Sequence, residues 1–277
     1  MSRGVGARTG ADAPAVDCRE LVYRFGPVVA VDGVSFSVSA GEVFGLLGPN
    51  GAGKTTTIRV LTTLLRPEEG EIDVFGLATH RFPMQVRRML GYVPQQLSVD
   101  AQLTGYENVW LFARLFDVPR RERRRRVLDA LDLVGLSSVA DRLAATYSGG
   151  MIRRLELAQA LVHRPLVLVM DEPTIGLDPI ARSAVWERVL ELRAMFGMTV
   201  LLTTHYMQEA DELCDRVGLM HRGRLRALGS PASLKAEIGP EATLDDVFRS
   251  YAGDELSEEG GTYSDVRRTR RTAGRLG

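Results

Sequence analysis

Between Ala15 and Val38 apolar and polar positions alternate, most clearly in VAVDGVSFSV, and the alternation breaks at Phe25-Gly26-Pro27. A period of two places one side of a strand inward, so this stretch predicts two short strands about a turn. Next comes an apolar run, VFGLL from Val43 to Leu47, then a glycine-rich turn, then a helix from Lys54 to about Leu65. Strand, glycine loop and helix in that order open a parallel nucleotide-binding sheet. Three more apolar runs continue it: LVLVM from Leu166 to Met170, TVLLTT from Thr199 to Thr204, and VGLM from Val217 to Met220.

The period changes from about Thr104 to Ala145. Val109, Phe112, Leu115 and Phe116 recur at helical spacing, followed by Val127, Leu131 and Val134. This reads as a helical subdomain inserted into the sheet. Between the second and third runs, Ala181, Val185, Val189 and Leu192 form one face of a helix that Gly197 ends. The first fourteen residues are rich in small residues and read as a disordered leader. Beyond about Gly253 the chain turns acidic, then glycine-rich, then arginine-rich, and residues 254–277 are expected to be disordered. No internal repeat is visible, so the chain carries one nucleotide-binding cassette.

With 45% apolar and 25% charged residues in 277, the composition is that of an ordinary globular protein. The longest aliphatic runs reach about five residues, against the roughly twenty that a membrane-spanning helix needs. No secretory apolar block follows the first residue, which points to a cytoplasmic protein. Cys18 and Cys214 stand far apart without a CxxC or Cys/His pairing, so they read as buried apolar fillers. Basic and acidic residues balance at 35 each. No global field favours nucleic acid, and RRERRRR, Arg120 to Arg126, reads as a solvated helix face because no aromatics interleave it. The 35 basic residues include only two lysines, Lys54 and Lys235, so each lysine invites a chemical reason.

Lys54 has one. GPNGAGKTT, comprising Gly48, Pro49, Asn50, Gly51, Ala52, Gly53, Lys54, Thr55 and Thr56, matches G-x-x-x-x-G-K-[ST] between a strand and a helix. Glycines let backbone N–H groups wrap phosphates, the helix N-terminus adds partial positive charge, and lysine places a cation on the β- and γ-phosphates. The Thr55 hydroxyl suits Mg²⁺. The only asparagines, Asn50 and Asn108, precede glycine and valine, so the Asn-Lys-x-Asp of guanine recognition is missing and a GTPase is disfavoured. LVLVMDEP puts Asp171 and Glu172 at a strand's carboxyl end beside this loop. Asp171 is placed to orient Mg²⁺, and Glu172 to polarise an attacking water as general base.

YSGGM, Tyr147 to Met151, lies about twenty residues before that acidic strand and resembles the ABC signature motif. Order and spacing resemble the ABC ATPase family across roughly Val16 to Leu228. The resemblance implies an α/β P-loop NTPase of ABC ATPase type, with an antiparallel β element, a parallel core sheet and an inserted helical subdomain. It places the ATPase domain at 15–230, the helical insertion at about 96–150 and a short C-terminal extension at 231–253. It further implies that Ser148, Gly149 and Gly150 bind the γ-phosphate of ATP held by an opposite subunit, so two ATP molecules lie in a head-to-tail dimer. Phe25 resembles the aromatic that stacks on adenine. Gln95, with Gln96 beside it as the alternative register, resembles the glutamine that senses Mg²⁺ and the attacking water. Asp178 in Gly176-Leu177-Asp178 resembles the D-loop, and His205 resembles the switch histidine at the γ-phosphate.

Met151 replaces the usual glutamine and cannot donate a hydrogen bond. YSGGM followed by IRRLELA, and TLDDVFRSYAG at 243–253, resemble ATPases of daunorubicin-resistance exporters. The implied function is ATP-driven export of a hydrophobic compound through a separate membrane permease, with this subunit on its cytoplasmic face. The implied cofactors are ATP and Mg²⁺, and the implied partner is a second ATPase subunit, identical or related. A soluble ABC ATPase acting on DNA or ribosomes is the rival, but it generally adds a coiled coil, zinc cysteines or a second cassette. A metabolite kinase would leave YSGGM and His205 without a role.

Overall fold

The computed structural model describes residues 14–252, so the tail and all of the leader but Pro14 lie outside the described residues. Strands β1 (Val16–Phe25) and β2 (Val28–Val38) form an antiparallel hairpin about Gly26, which adopts a left-handed φ of 57°. They run ten and eleven residues, longer than the short strands expected: Val16, Cys18, Val34, Phe36 and Val38 enter the core at the base, and the pairing continues to the tip at Phe25 and Val28, where no side chain is buried. β3 (Val43–Leu47) is buried on both faces and leads through the glycine loop into α1 (Lys54–Leu61). This helix stops four residues before the expected Leu65: Thr63 takes a left-handed φ of 63°, and Leu64 turns out to solvent.

The next elements carry signals too short or too mixed to read from period: β4 (Glu69–Val74), β5 (Leu77–Ala78), α2 (Pro83–Met89) and β6 (Leu90–Val93). β4 joins the hairpin, giving an antiparallel sheet ordered β2-β1-β4-β5. Three helices follow: α3 (Gly105–Leu115), α4 (Arg120–Leu133) and α5 (Gly149–Leu161). A full capping box starts α3, with Thr104 and Glu107 exchanging bonds. Its inward face differs from the one expected. Val109 and Ala113 are buried, Phe116 stacks on His163, and Leu115 is 66% exposed. At 100° per residue Leu115 lies about 240° around the helix from Val109 and cannot share its face.

The remaining elements are β7 (Val167–Asp171), α6 (Pro179–Phe196), β8 (Thr199–Thr204), α7 (Met207–Leu213), β9 (Arg216–His221), β10 (Arg224–Gly229), α8 (Pro231–Ile238) and α9 (Leu244–Ala252). The larger sheet has the order β10-β9-β3-β8-β7-β6, parallel except for β10 at its edge. Leu166 stays outside β7, half exposed. Gly197 closes α6 at φ 62°, as its position predicts. Cys18 and Cys214 are both buried free thiols. α4 carries the arginine run, with Arg120, Arg121, Arg124 and Arg125 exposed. Because β3 and β7 flank β8 and all run the same way, the glycine loop after β3 and the carboxylates ending β7 emerge at one edge.

Candidate active site

The glycine loop owes its path to residues that reject side chains. At Gly48, with φ 150°, a Cβ would fall 2.2 Å from the Met220 carbonyl oxygen; at Gly53, with φ 101°, it would fall 2.4 Å from that of Ala30. Backbone packs directly on backbone there, which only glycine permits. The loop delivers Lys54 into a cavity of about 370 Å³, lined by Ala30, residues 50–56, Gln95 and Glu172. Gly48 and Pro49 sit just before that lining, and their carbonyls accept hydrogen bonds from Lys54 Nζ at 2.6 and 3.1 Å. The third ammonium hydrogen faces Glu172 Oε1 at 3.1 Å, with both side chains 4% exposed.

Asp171 and Glu172 divide as their neighbours dictate. Asp171 Oδ1 accepts from Thr55 Oγ1 at 3.1 Å and from Thr203 Oγ1 at 2.6 Å. Burial pushes its carboxyl above the usual range, and the nearby Glu172 charge adds to that; the bonds from Thr203 and Thr55 and the Lys54 charge oppose it. Glu172 takes a left-handed φ of 47°, which a non-glycine residue adopts only when its surroundings hold it. Its N–H donates to both Thr203 O and Thr203 Oγ1, at 3.1 and 2.9 Å. Its Oε2 lies 3.3 Å from His205 Nδ1. Lys54, Thr55, Gln95 and Glu172 therefore line one cavity, with Asp171 and His205 behind it in contact with Thr55 and Glu172.

Other residues singled out in the sequence lie elsewhere. Phe25 ends β1 at the hairpin tip, 48% exposed and edge-on to Tyr23 at 4.9 Å, outside the cavity lining. Ser148 is the N-cap of α5, accepting from Met151 N at 3.3 Å, and Gly149 and Gly150 form the first turn; none of them lines the cavity. A Cβ at Gly150 would meet Ala181 Cβ at 3.1 Å, and one at Gly149 would meet Leu177 Cδ2 at 3.5 Å. These glycines thus allow close packing of α5 on Leu177 and Ala181 at the start of α6. Asp178 is exposed and caps α6, its Oδ1 accepting from Ala181 N at 2.9 Å.

The sequence reading missed Thr203. It sits in a strand whose six residues are all buried, where threonine reads as a strand former. Register decides its role: Thr203 is paired with Asp171 in the parallel ladder. Thr203→Val keeps the shape and removes the donor that lowers the Asp171 pKa, so that pKa rises. If Asp171 faces a cation, as the sequence motif implies, it must be ionised, and the acid limb of the hydrolysis profile is expected to move to higher pH. The rate at neutral pH should fall on the order of tenfold, read from pH profiles of both proteins.

The sequence pattern of the ABC transporter family matches residues 31–175. This chain belongs to the ABC transporter family. It is an ATP-binding, ATP-hydrolysing subunit with the ABC ATPase fold. Among characterised ABC proteins it is 45% identical over 240 residues to the Nod factor export ATP-binding protein I of Burkholderia orbicola (strain AU 1054), spanning 86% of this chain and 77% of that protein. It is 46% identical over 225 residues to the daunorubicin/doxorubicin resistance ATP-binding protein DrrA of Streptomyces peucetius, spanning 81% and 68%. A solved ATP-binding subunit of an ABC transporter superposes with a TM-score of 0.77 at 30% identity, over 86% of this chain and 100% of that one. An ATP-binding cassette captured as a post-hydrolysis dimer with ADP and Pi superposes at 0.69 with 27% identity, over 78% of this chain and 98% of that one. Among the described residues no helix is long and apolar enough to cross a membrane.

Proposed function

We propose that this ABC ATPase powers export of a hydrophobic compound through a separate permease at the cytoplasmic face of the membrane, working as a head-to-tail dimer with ATP and Mg²⁺. One observation carries the dimer: the cavity gathers Lys54, Gln95 and Glu172, while Ser148 stands exposed at a helix N-terminus outside it. A helix N-terminus suits an anion, and a second copy facing the cavity would bring its Ser148, Gly149 and Gly150 to the γ-phosphate. The named exporters at 45% and 46% identity support the transport reading and its direction.

The donors at the loop fit Mg²⁺. Among the described residues no group of three His, Cys, Asp or Glu could form an all-protein site. The hard oxygens of Thr55 and Asp171 converge instead, which suits an ion that keeps waters and phosphate oxygens as ligands. Thr55, Asp171 and Gln95 would hold it, and it would neutralise charge on the transferring phosphate. Lys54 binds the β- and γ-phosphates, which compete with Glu172 for its third hydrogen. Glu172 then turns to the attacking water as general base, and His205 steadies both that carboxylate and the γ-phosphate. Phe25 at the hairpin tip stacks on adenine, and Asp178 contributes at the dimer interface through the segment it caps.

Ser148→Arg should leave ATP binding to the single chain intact and abolish ATP-dependent dimerisation, because the larger cation fills the space the γ-phosphate must enter. Light scattering with ATP tests this, and dimers of the variant would refute the sandwich. For the transport reading, Glu172→Gln purified from its own cells with ATP should retain a polytopic membrane protein, identified by mass spectrometry. Recovery of ribosomal or DNA-associated proteins alone would favour the soluble rival.

A further inference from the structure

We infer that Arg153 and Glu156 are positioning residues that lock the Gln95 segment to the signature helix, so that Gln95 and Ser148 move as one body. Resting on the two-site reading above, this would tie a chain's sensing of its own nucleotide to the anion-binding end it offers its partner.

The segment after β6, from Pro94 to Leu103, has no regular secondary structure, so its backbone groups need partners from elsewhere. One side chain supplies two. Arg153, on the second turn of α5 and 5% exposed, donates from Nη1 to Pro94 O at 3.0 Å and from Nη2 to Gln95 O at 2.8 Å. Its remaining Nη1 hydrogen meets Glu156 Oε2 at 2.7 Å. Glu156, 1% exposed, accepts from Ser98 N at 2.6 Å and from Ser98 Oγ at 3.1 Å through Oε1. The network continues through buried Gln159, whose Nε2 donates to Asn108 Oδ1 at 3.3 Å. Asn108 in turn fixes Asp100 through both its main-chain groups, at 2.9 Å each. Both ends of the loop are thereby pinned to α5 and α3.

A buried ion pair is poor evidence of stability, since apolar residues of similar volume often serve as well. What an apolar pair cannot do is hold two carbonyls and an N–H in fixed places. The planar guanidinium can, because its fork sets the spacing of both bonds; lysine cannot reproduce it. Ser148 caps the same helix five residues before Arg153, within about 8 Å along the axis, so the cap and the Gln95 backbone share one rigid support.

The test compares the full chain with Arg153→Met/Glu156→Met, and with Arg153→Lys in case the double variant does not fold. Spin labels go at Leu97→Cys in the loop and Leu128→Cys on α4, both exposed. The native thiols do not compete: Cys18 and Cys214 are buried, and burial pushes the Cys18 thiol up to about 12 and raises that of Cys214 too. With the clamp intact, the label distance should be narrow and the same with and without ATP. In both clamp variants it should broaden, with hydrolysis falling on the order of tenfold and single-chain ATP affinity unchanged. Cooperativity in ATP should fall toward a Hill coefficient of about 1. A distance as narrow as in the parent with parental turnover, or a broad one in the parent itself, overturns the inference. If the intact chain shows no ATP-dependent dimer, the two-site reading fails while the label distances still decide whether the clamp holds.

Discussion

Glu172→Gln is expected to bind ATP as the parent does and to hydrolyse it about a thousandfold more slowly, the scale of a lost general base. The side chains are nearly isosteric, so the cavity keeps its shape. The backbone at residue 172 is held from Thr203, through O and Oγ1, and neither bond involves the substituted group. What changes is charge. Glutamine cannot take a proton from water, and it presents no anion to Lys54 at 3.1 Å or to His205 at 3.3 Å. Losing the competition for Lys54 favours phosphate, so nucleotide affinity should hold or rise while turnover stops and the ATP-bound dimer accumulates. Single-turnover hydrolysis and equilibrium ATP binding on the same preparation separate the two effects. Hydrolysis at the parental rate would remove Glu172 from its role.

How much of this site was legible depended on whether chemistry or packing set each residue. That Lys54, Thr55, Asp171 and Glu172 would lie together was readable, because the motif fixes their residue types and the strand–loop–helix context fixes their spacing. Thr203 and Arg153 were not. A threonine in TVLLTT looks like any strand residue until the parallel register sets it against Asp171. An arginine in IRRLELA looks like its solvated neighbours in a chain with 33 arginines, and only its burial sets it apart. Local pattern also failed where tertiary packing chose the face: Leu115 fits a helical period yet points to solvent, while small Ala113 enters the core. The parallel strands β3, β7, β8 and β9 were visible as apolar runs, whereas β6 and the antiparallel β4 were too mixed to be seen until they had partners.

Lys54→Ala should weaken ATP binding by about two orders of magnitude, near 3 kcal/mol, the cost of truncating one member of a buried charge-assisted contact. It should also destabilise the nucleotide-free protein, for a separate reason. Lys54 satisfies the carbonyls of Gly48 and Pro49 and neutralises Glu172, which is 4% exposed. Its removal leaves that carboxylate buried beside His205 alone, and breaking a buried pair costs about 3 to 5 kcal/mol. For a domain of this size that corresponds to a fall of several degrees in Tm. The double variant Lys54→Ala/Glu172→Gln separates the effects. Removing the orphan charge should recover much of the lost Tm, while ATP affinity stays low because the phosphates still lack their cation. Calorimetry gives the first quantity and nucleotide titration the second. If ATP affinity recovered together with Tm, Lys54 would be acting through the loop's stability, and its direct contact with phosphate would be refuted.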